Sequence, residues 1–424
     1  MKRIIFFLLL ILVGQNLYSQ GIISKLAPDL QEKILAARSD EMIPVIIRMS
    51  EQYNENQLIQ QLRYCKGKEE KREVAIGELK RFSSSTQMEI LKDLSYGEKS
   101  SIVSDVVSFW IFNGISCKMN ATMVNSMALR NDVSMILLDE MRKMIPDEEE
   151  TEQTKPLRGN AWNVAKVNAD AVWNLGYTGE GVVVAVIDTG VNYSHTDIAN
   201  NMWDGGTQYP YHGWDYVNND NDPKDDQGHG THCAGTVSSY GTNGTQCGMA
   251  KDAKIMALKV MDSGGHGSDN NIIKGIQFAV ENGADVLSLS LGAPGIGGYW
   301  LYRDTFVNVG VCGAVASIAG GNDRDALSEY PIPNNIGAPG NCPPAWHNPD
   351  QTLEGGHSAV VTVGATTKQD EIAYFSSEGP VTWASGDYIG HYNDYPYTPG
   401  SATEIGLIKP DVSAPGYSIG DFYF

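Results

Sequence analysis

The chain has 424 residues, 42% hydrophobic and 9% aromatic, with 51 acidic against 31 basic side chains and a net charge of −20. That length and apolar content suit two or three domains with sizeable cores and exclude a disordered or collagen-like polymer. The charge is uneven: residues 1–150 carry −2 and residues 151–424 carry −18. So acidic a second part repels phosphate backbones and argues against a nucleic-acid partner.

At the N-terminus, Lys2 and Arg3 precede an unbroken apolar run from Ile4 to Val13, then small and polar residues with an expected cleavage point after Ser19 or Gln20. The run is too short for the ~20 residues that span a bilayer, so residues 1–20 read as a cleaved secretory signal. No membrane span is expected after its removal, and the protein is expected to be secreted, periplasmic or extracellular. Six cysteines, Cys65, Cys117, Cys233, Cys247, Cys312 and Cys342, permit disulfides in that compartment. Their spacing is not zinc-like and does not choose among pairings.

Residues 22–146 read as a small α+β domain. Ile43–Met49 is strand-like, Gln57–Leu91 is rich in helix formers, and Val106–Met119 carries aromatic and β-branched residues. Ala121–Leu129 reads as helix and Val133–Leu138 as a last strand. Residues 147–156 form an acidic linker, open to proteolysis, within a stretch from Pro146 to Pro156 that has no apolar residue besides its prolines. From residue 157 to 424 strands and helices alternate. Gly181–Ile187, Ile255–Val260, Val286–Leu291, Val311–Ile318 and Val360–Val363 are strand candidates, several with the continuous apolar character of a strand buried on both faces. Ser268 is a candidate N-cap for a helix through Asn282. The pattern predicts an α/β fold, a doubly wound parallel sheet with helices on both faces and ligands at the carboxyl ends of the strands.

Three short segments carry chemistry. Asp188 ends the first buried strand in Asp188-Thr189-Gly190, where a carboxylate needs a partner or an Asx-type turn to offset its burial. His229 follows in Gly228-His229-Gly230-Thr231-His232, at an expected helix N-terminus that presents rather than buries it. The His-x-x-His spacing is not the i, i+4 pair of helical zinc sites, so no metal ligand is assigned. Asn322 stands in Gly320-Gly321-Asn322-Asp323, directly after a strand, where its amide can aim at an oxyanion or simply serve a turn.

In this order, together with Ser288-Leu289-Ser290-Leu291-Gly292, Phe375-Ser376-Ser377-Glu378-Gly379-Pro380 and Lys409-Pro410-Asp411-Val412-Ser413-Ala414-Pro415-Gly416, these segments resemble the subtilisin-like serine proteases over about residues 157–424. The resemblance implies that His229 is the general base, Asp188 its orienting carboxylate and Asn322 an oxyanion donor. It also implies that a polypeptide substrate lies along Ser290, Leu291 and Gly292, with Gly320 and Gly321 beside it. No cofactor is required for that chemistry. Cys233 is expected to pack beside the site rather than act as a nucleophile. Residues 22–146, more loosely and chiefly through Trp110-Ile111-Phe112-Asn113-Gly114-Ile115-Ser116, resemble the family's inhibitory propeptide. The chain's own propeptide is thus an expected intramolecular inhibitor, cut between about Met144 and Lys155.

The family's nucleophile lies in a Gly-Thr-Ser block after the Ala-Pro-Gly segment, and no Gly-Thr-Ser occurs in these 424 residues. Ser401 precedes the Lys409–Gly416 block and Ser418 has no helix after it, so neither fits. The expectation is a serine endopeptidase gene product cut before its serine and inactive unless completed. The alternative is an inactive secreted pseudoprotease or propeptide-type inhibitor that binds peptides or a sibling protease. Two local expectations remain. Asp215, Asp220, Asp222, Asp225 and Asp226, with Asn218, Asn219 and Asn221, form a candidate structural calcium cluster, a solvated turn being the alternative. Glu329 is a candidate wall of the pocket for the residue before the scissile bond, favouring Lys or Arg there.

Overall fold

The computed structural model describes residues 25–145, 159–242, 244–295, 300–384 and 392–417. The expected signal (1–20), the acidic linker (147–156) and Ser418 lie outside them. The chain divides into two compact units, the first holding residues 25–65 and 73–140, the second residues 66–72 and everything described from Met141 onward.

The first unit is built on a four-stranded antiparallel sheet of β1 (Ile43–Met49), β2 (Val103–Phe109), β3 (Gly114–Met119) and β4 (Val133–Leu138), in the order β2-β3-β1-β4. Strand β1 is flanked on both sides, which is why its apolar run is almost continuous and nearly all buried. The Trp110–Ser116 segment is a turn with a physical requirement. Asn113 takes a φ of 46° and its side chain donates to the Glu51 carbonyl and accepts from Gln87. At Gly114 a β-carbon would meet the Ile47 carbonyl oxygen at 2.4 Å, so strand β3 can approach β1 there only as glycine. Asn120 caps the helix Ala121–Ala128 by accepting from the Met123 amide.

In the second unit the strands are β5 (Met141–Met144), β6 (Gly159–Asn160), β7 (Val183–Asp188), β8 (Gly213–Asp215), β9 (Thr245–Gln246), β10 (Lys254–Lys259), β11 (His266–Ser268), β12 (Val286–Leu289), β13 (Leu291–Gly292), β14 (Val315–Ala319), β15 (Val360–Thr366) and β16 (Val412–Pro415). Seven of them form one parallel sheet in the order β16-β15-β14-β12-β7-β10-β8. The sheet is flanked by helices, among them His229–Ser238 and Asp269–Glu281 packed on β7 and Trp300–Val311 packed on β14. This is the doubly wound α/β architecture expected from the strand–helix alternation. After β7 the chain places β8 and β10 on one side and β12 on the other, so β7 and β12 flank a topological switch point. Among the described residues, no helix is long and apolar enough to cross a membrane.

Two differences from the sequence pattern have simple causes. Val311 ends the helix Trp300–Val311 instead of starting a strand, because Gly313 (φ 79°) turns the chain before β14 begins at Val315. The run Val286–Leu291 is split at Ser290 into β12 and β13, and the Ser290 carbonyl is turned to a partner outside the large sheet. No disulfide joins any of the six cysteines.

One buried cation pins the C-terminal part of this unit. The Arg303 guanidinium, 1% exposed, is bidentate to Asp394 at 2.7 and 2.6 Å and lies 4.6 Å from the Trp383 ring centroid and 3.8 Å from that of Tyr392. Losing one partner of such a pair strands the other, so Arg303→Ala is expected to cost about 3 kcal/mol or more, read from the urea midpoint. Arg303→Lys cannot reproduce the planar fork. Burial works to raise the Asp394 pKa, but bonds from Arg303 and the Gly356 amide hold it below its ordinary value. A depressed carboxylate contributes stability above its unfolded pKa and loses it as pH falls through the folded one. The stability gap between wild type and Asp394→Asn is therefore expected to be full above about pH 4 and to close in more acidic buffer.

Candidate active site

Asp188 and His229 meet at the carboxyl end of the parallel sheet, beside the switch point. Asp188 closes β7 and His229 opens the helix His229–Ser238. Their separation, Asp188 Oδ1 to His229 Nδ1, is 2.7 Å, and both side chains are buried, at 1% and 5% exposure. Asp188 Oδ1 also accepts from the Thr189 amide at 2.7 Å. A charge-assisted bond out of water fixes the ring orientation more firmly than a neutral one.

Backbone proximity explains the glycines and threonines around the pair. A β-carbon at Gly230 would fall 2.1 Å from the Gly190 carbonyl oxygen, so the helix can approach the Asp188-Thr189-Gly190 turn only without a side chain there. Thr189 Oγ1 accepts from the Gly230 amide and donates to Asp225. Asp225 in turn accepts from the amides of Gln227, Gly228 and Thr231 and from the Thr231 hydroxyl. Asp225 thus ties the two motifs together, a role that its place in an acidic run did not signal.

The acidic residues before His229 are each tied to neighbouring donors. Asp215 accepts from the Val217 and Asn218 amides and the Asn218 side chain, Asp222 from the Tyr193 hydroxyl, and Asp226 pairs with buried Lys259. Asp220 accepts from the Asp222 amide. These carboxylates are engaged by protein donors. Among the described residues, the one group of three or more candidate ligands whose donor atoms gather within 4.8 Å is Asp188, His229 and Cys233. There the 2.7 Å separation of Asp188 and His229 is a hydrogen bond, and the Cys233 side chain also packs on the core formed by Val184, Val186 and Ala234.

The other end of the imidazole faces a peptide carbonyl. Strand β5 lies between β11 and β13 in a three-stranded antiparallel sheet, with Arg142 opposite Gly267, Met144 opposite Leu291 and Lys143 opposite Gly292. The Met144 amide donates to Gly265 and the Ile145 amide to Ser290, at 2.9 and 2.8 Å. The Ile145 carbonyl oxygen is then 2.8 Å from His229 Nε2. This contact buries His229, which the sequence pattern expected to be presented to solvent. Both ring nitrogens face acceptor oxygens, an arrangement that only a doubly protonated imidazole satisfies at both ends.

Beside Ile145 lies a cavity of about 380 Å³ whose walls include Gly292, Gly320, Gly321, Asn322, Asp323 and Tyr330. The loop after β14 is held by the Phe375-Ser376-Ser377 segment: Ser377 donates its amide to the Gly321 carbonyl and accepts from the Asp323 amide. Ser290, Leu291, Gly292, Gly320, Gly321 and Asn322 are therefore all gathered along the segment that ends at Ile145. The acidic wall is Asp323 rather than Glu329. Burial raises the Asp323 carboxyl above its ordinary pKa, although Ser377 hydrogen-bonds to it. Glu329 is instead hydrogen-bonded to the Tyr330 hydroxyl, whose pKa it raises. The sequence also gave no sign of Asp269, whose carboxylate receives Arg142; its only signal was a place directly after the Ser268 cap.

Comparison with known proteins agrees with this arrangement. The sequence profile described as the Subtilase family matches residues 179–422. The minor extracellular protease Vpr of Bacillus subtilis is 38% identical over 194 residues, covering 43% of this chain but only 23% of that protein. Thermitase of Thermoactinomyces vulgaris is 32% identical over 54% of this chain and 71% of its own. Subtilisin DY of Bacillus licheniformis is 31% identical over 55% of this chain and 74% of its own. With the parallel sheet, the switch-point site and a family match over more than half its length, the chain belongs to the subtilase family of serine endopeptidases.

Proposed function

We propose that the second unit hydrolyses peptide bonds in polypeptides outside the cell, with His229 as general base and Asp188 holding the imidazole in its productive tautomer and stabilising its charged form. Asn322 donates to the oxyanion, and Ser290–Gly292 bind the substrate backbone as an added strand. The nucleophile in this reading is a serine of a Gly-Thr-Ser block outside the 424 residues. Residues 22–146 serve as a propeptide whose tail, Met141–Ile145, occupies the cleft until it is cut between about Met144 and Lys155.

One observation carries the reading: His229 sits between Asp188 and a peptide carbonyl that strand pairing delivers to it. A second reading takes the same cleft, with Met144 and Lys143 paired to Leu291 and Gly292, as that of a secreted pseudoprotease or inhibitor that binds peptides. Assaying casein hydrolysis by the protein made from its natural coding sequence separates the two. The first reading expects turnover that a serine-directed sulfonyl fluoride abolishes; a folded product that never turns over casein supports the second.

A further inference from the structure

We propose that Lys259 is a positioning residue for the Asp188–His229 pair. Its ammonium clamps the turn after Asp188 to the loop that leads into His229 and lays a positive charge beside the Asp188 carboxylate. The inference rests on the reading of the site as a peptide hydrolase and adds a residue to its machinery.

Strands β7, β10 and β8 lie side by side, and their last residues share one row of the sheet. Asp188 is in register with Lys259, and Lys259 with Asp215. Residues in register on parallel neighbours project to the same face, across strands about 4.8 Å apart. Each of the three is 1% exposed, so an acid, a base and an acid are held out of water at the carboxyl ends of the strands. An ammonium at that depth is costly unless acceptors and negative charge surround it.

The acceptors that Lys259 finds are those that set the catalytic geometry. Its Nζ donates to the Thr189 carbonyl at 2.8 Å and to the half-exposed Asp226. The Thr189 amide holds Asp188 Oδ1, and Thr189 Oγ1 accepts from the Gly230 amide in the first turn of the His229 helix. Asp226 stands three residues before His229. One side chain from a third strand thus ties both segments that carry the pair.

The two carboxylates in the row differ in what they need. Asp215 is held by the Val217 and Asn218 amides and by the Asn218 side chain. Asp188 receives His229 and the Thr189 amide on Oδ1 alone, and its Oδ2 is buried with no hydrogen-bond partner. The neighbouring ammonium offsets the charge on that oxygen through space. Around the imidazole stand Asp188 on β7, Cys233 on its own helix, and Asp225 and Asp226 in the preceding loop. Lys259 and then Asp215 follow across the sheet, exposed Lys143 is on the tail, and Asp323 lines the cavity beside Ile145. Lys259 is the buried cation among them. Removing its charge favours the imidazolium, so the base sheds its proton only at higher pH.

The test uses the protein made from its natural coding sequence and an internally quenched casein peptide. Lys259→Met is expected to lower kcat about tenfold or more at pH 7. KM should stay within about twofold, since the substrate-binding strand is untouched. The acid limb of kcat/KM should move to higher pH by about half a unit or more. If Lys259→Met does not fold, Lys259→Gln, which can still donate to the Thr189 carbonyl, carries the same expectation for the acid limb. An unmoved acid limb, with activity lost only in proportion to the folded fraction, would overturn the proposal and leave hydrolysis itself intact. If the wild type cleaves nothing, the hydrolytic reading has failed, and the His229 ring is titrated by NMR in wild type and Lys259→Gln. A titration moved to higher pH in the variant supports the proposal; superimposable curves overturn it.

Discussion

His229→Ala is expected to lower kcat about 10⁶-fold in the protein made from its natural coding sequence, the scale on which a triad base acts when it works as one unit with its nucleophile. The ring bridges Asp188 and the carbonyl delivered by the tail. Without it a serine hydroxyl keeps its proton at neutral pH, and only substrate positioning and the oxyanion donor remain. Those should still leave about 10³-fold acceleration over the uncatalysed reaction. Because Ser290–Gly292 and the loop at Asn322 are untouched, KM should change little. A large rise in KM at unchanged kcat would contradict the assignment, since it would place His229 in binding rather than proton transfer.

Asp188→Asn is expected to lower kcat about 10⁴-fold with the fold intact. The amide is nearly isosteric, but it removes the charge that stabilises an imidazolium and lets the ring settle in the tautomer that cannot accept the nucleophile's proton. Asp188 Oδ2 is buried with no hydrogen-bond partner, so the substitution disrupts only the contacts of Oδ1 with His229 and the Thr189 amide. Combining both substitutions should cost no more than His229→Ala alone, because Asp188 acts through the imidazole. A double variant that loses the product of both factors would contradict that coupling.

The sequence made parts of this arrangement legible because they are governed locally. Ile43–Met49 and Val133–Leu138 coincide with β1 and β4, since a short apolar run with β-branched residues has one favourable use. Ser268 caps the helix Asp269–Glu281 as its hydroxyl chemistry dictates, accepting from the Asn271 amide. The positions of Asp188 and His229, at a strand end and a glycine-flanked helix start, follow from the same local rules.

Features set by distant partners were not legible. Met141–Ile145, at the end of the α+β domain, was assigned no element, and only pairing with β11 and β13 makes it a strand. The first compact unit ends at Glu140, and Met141 onward packs with the second. Asp225 and Asp269 are ordinary acidic residues in sequence; what distinguishes them is Thr189 and Thr231 around the first and Arg142 and Tyr302 around the second. Glu329 was read as a pocket wall on the resemblance, whereas the cavity beside Ile145 is lined by Asp323, whose amide donates to Ser377.

The central claim is that the Asp188–His229 pair serves a serine in this gene's product. The most direct measurement is peptide mapping by mass spectrometry of the native secreted protein after reaction with a fluorophosphonate. The account predicts one stoichiometric adduct, on a serine in a Gly-Thr-Ser block beyond Phe424, lost in His229→Ala. A folded native protein with no adduct, or an adduct on a serine within the 424 residues, would contradict it.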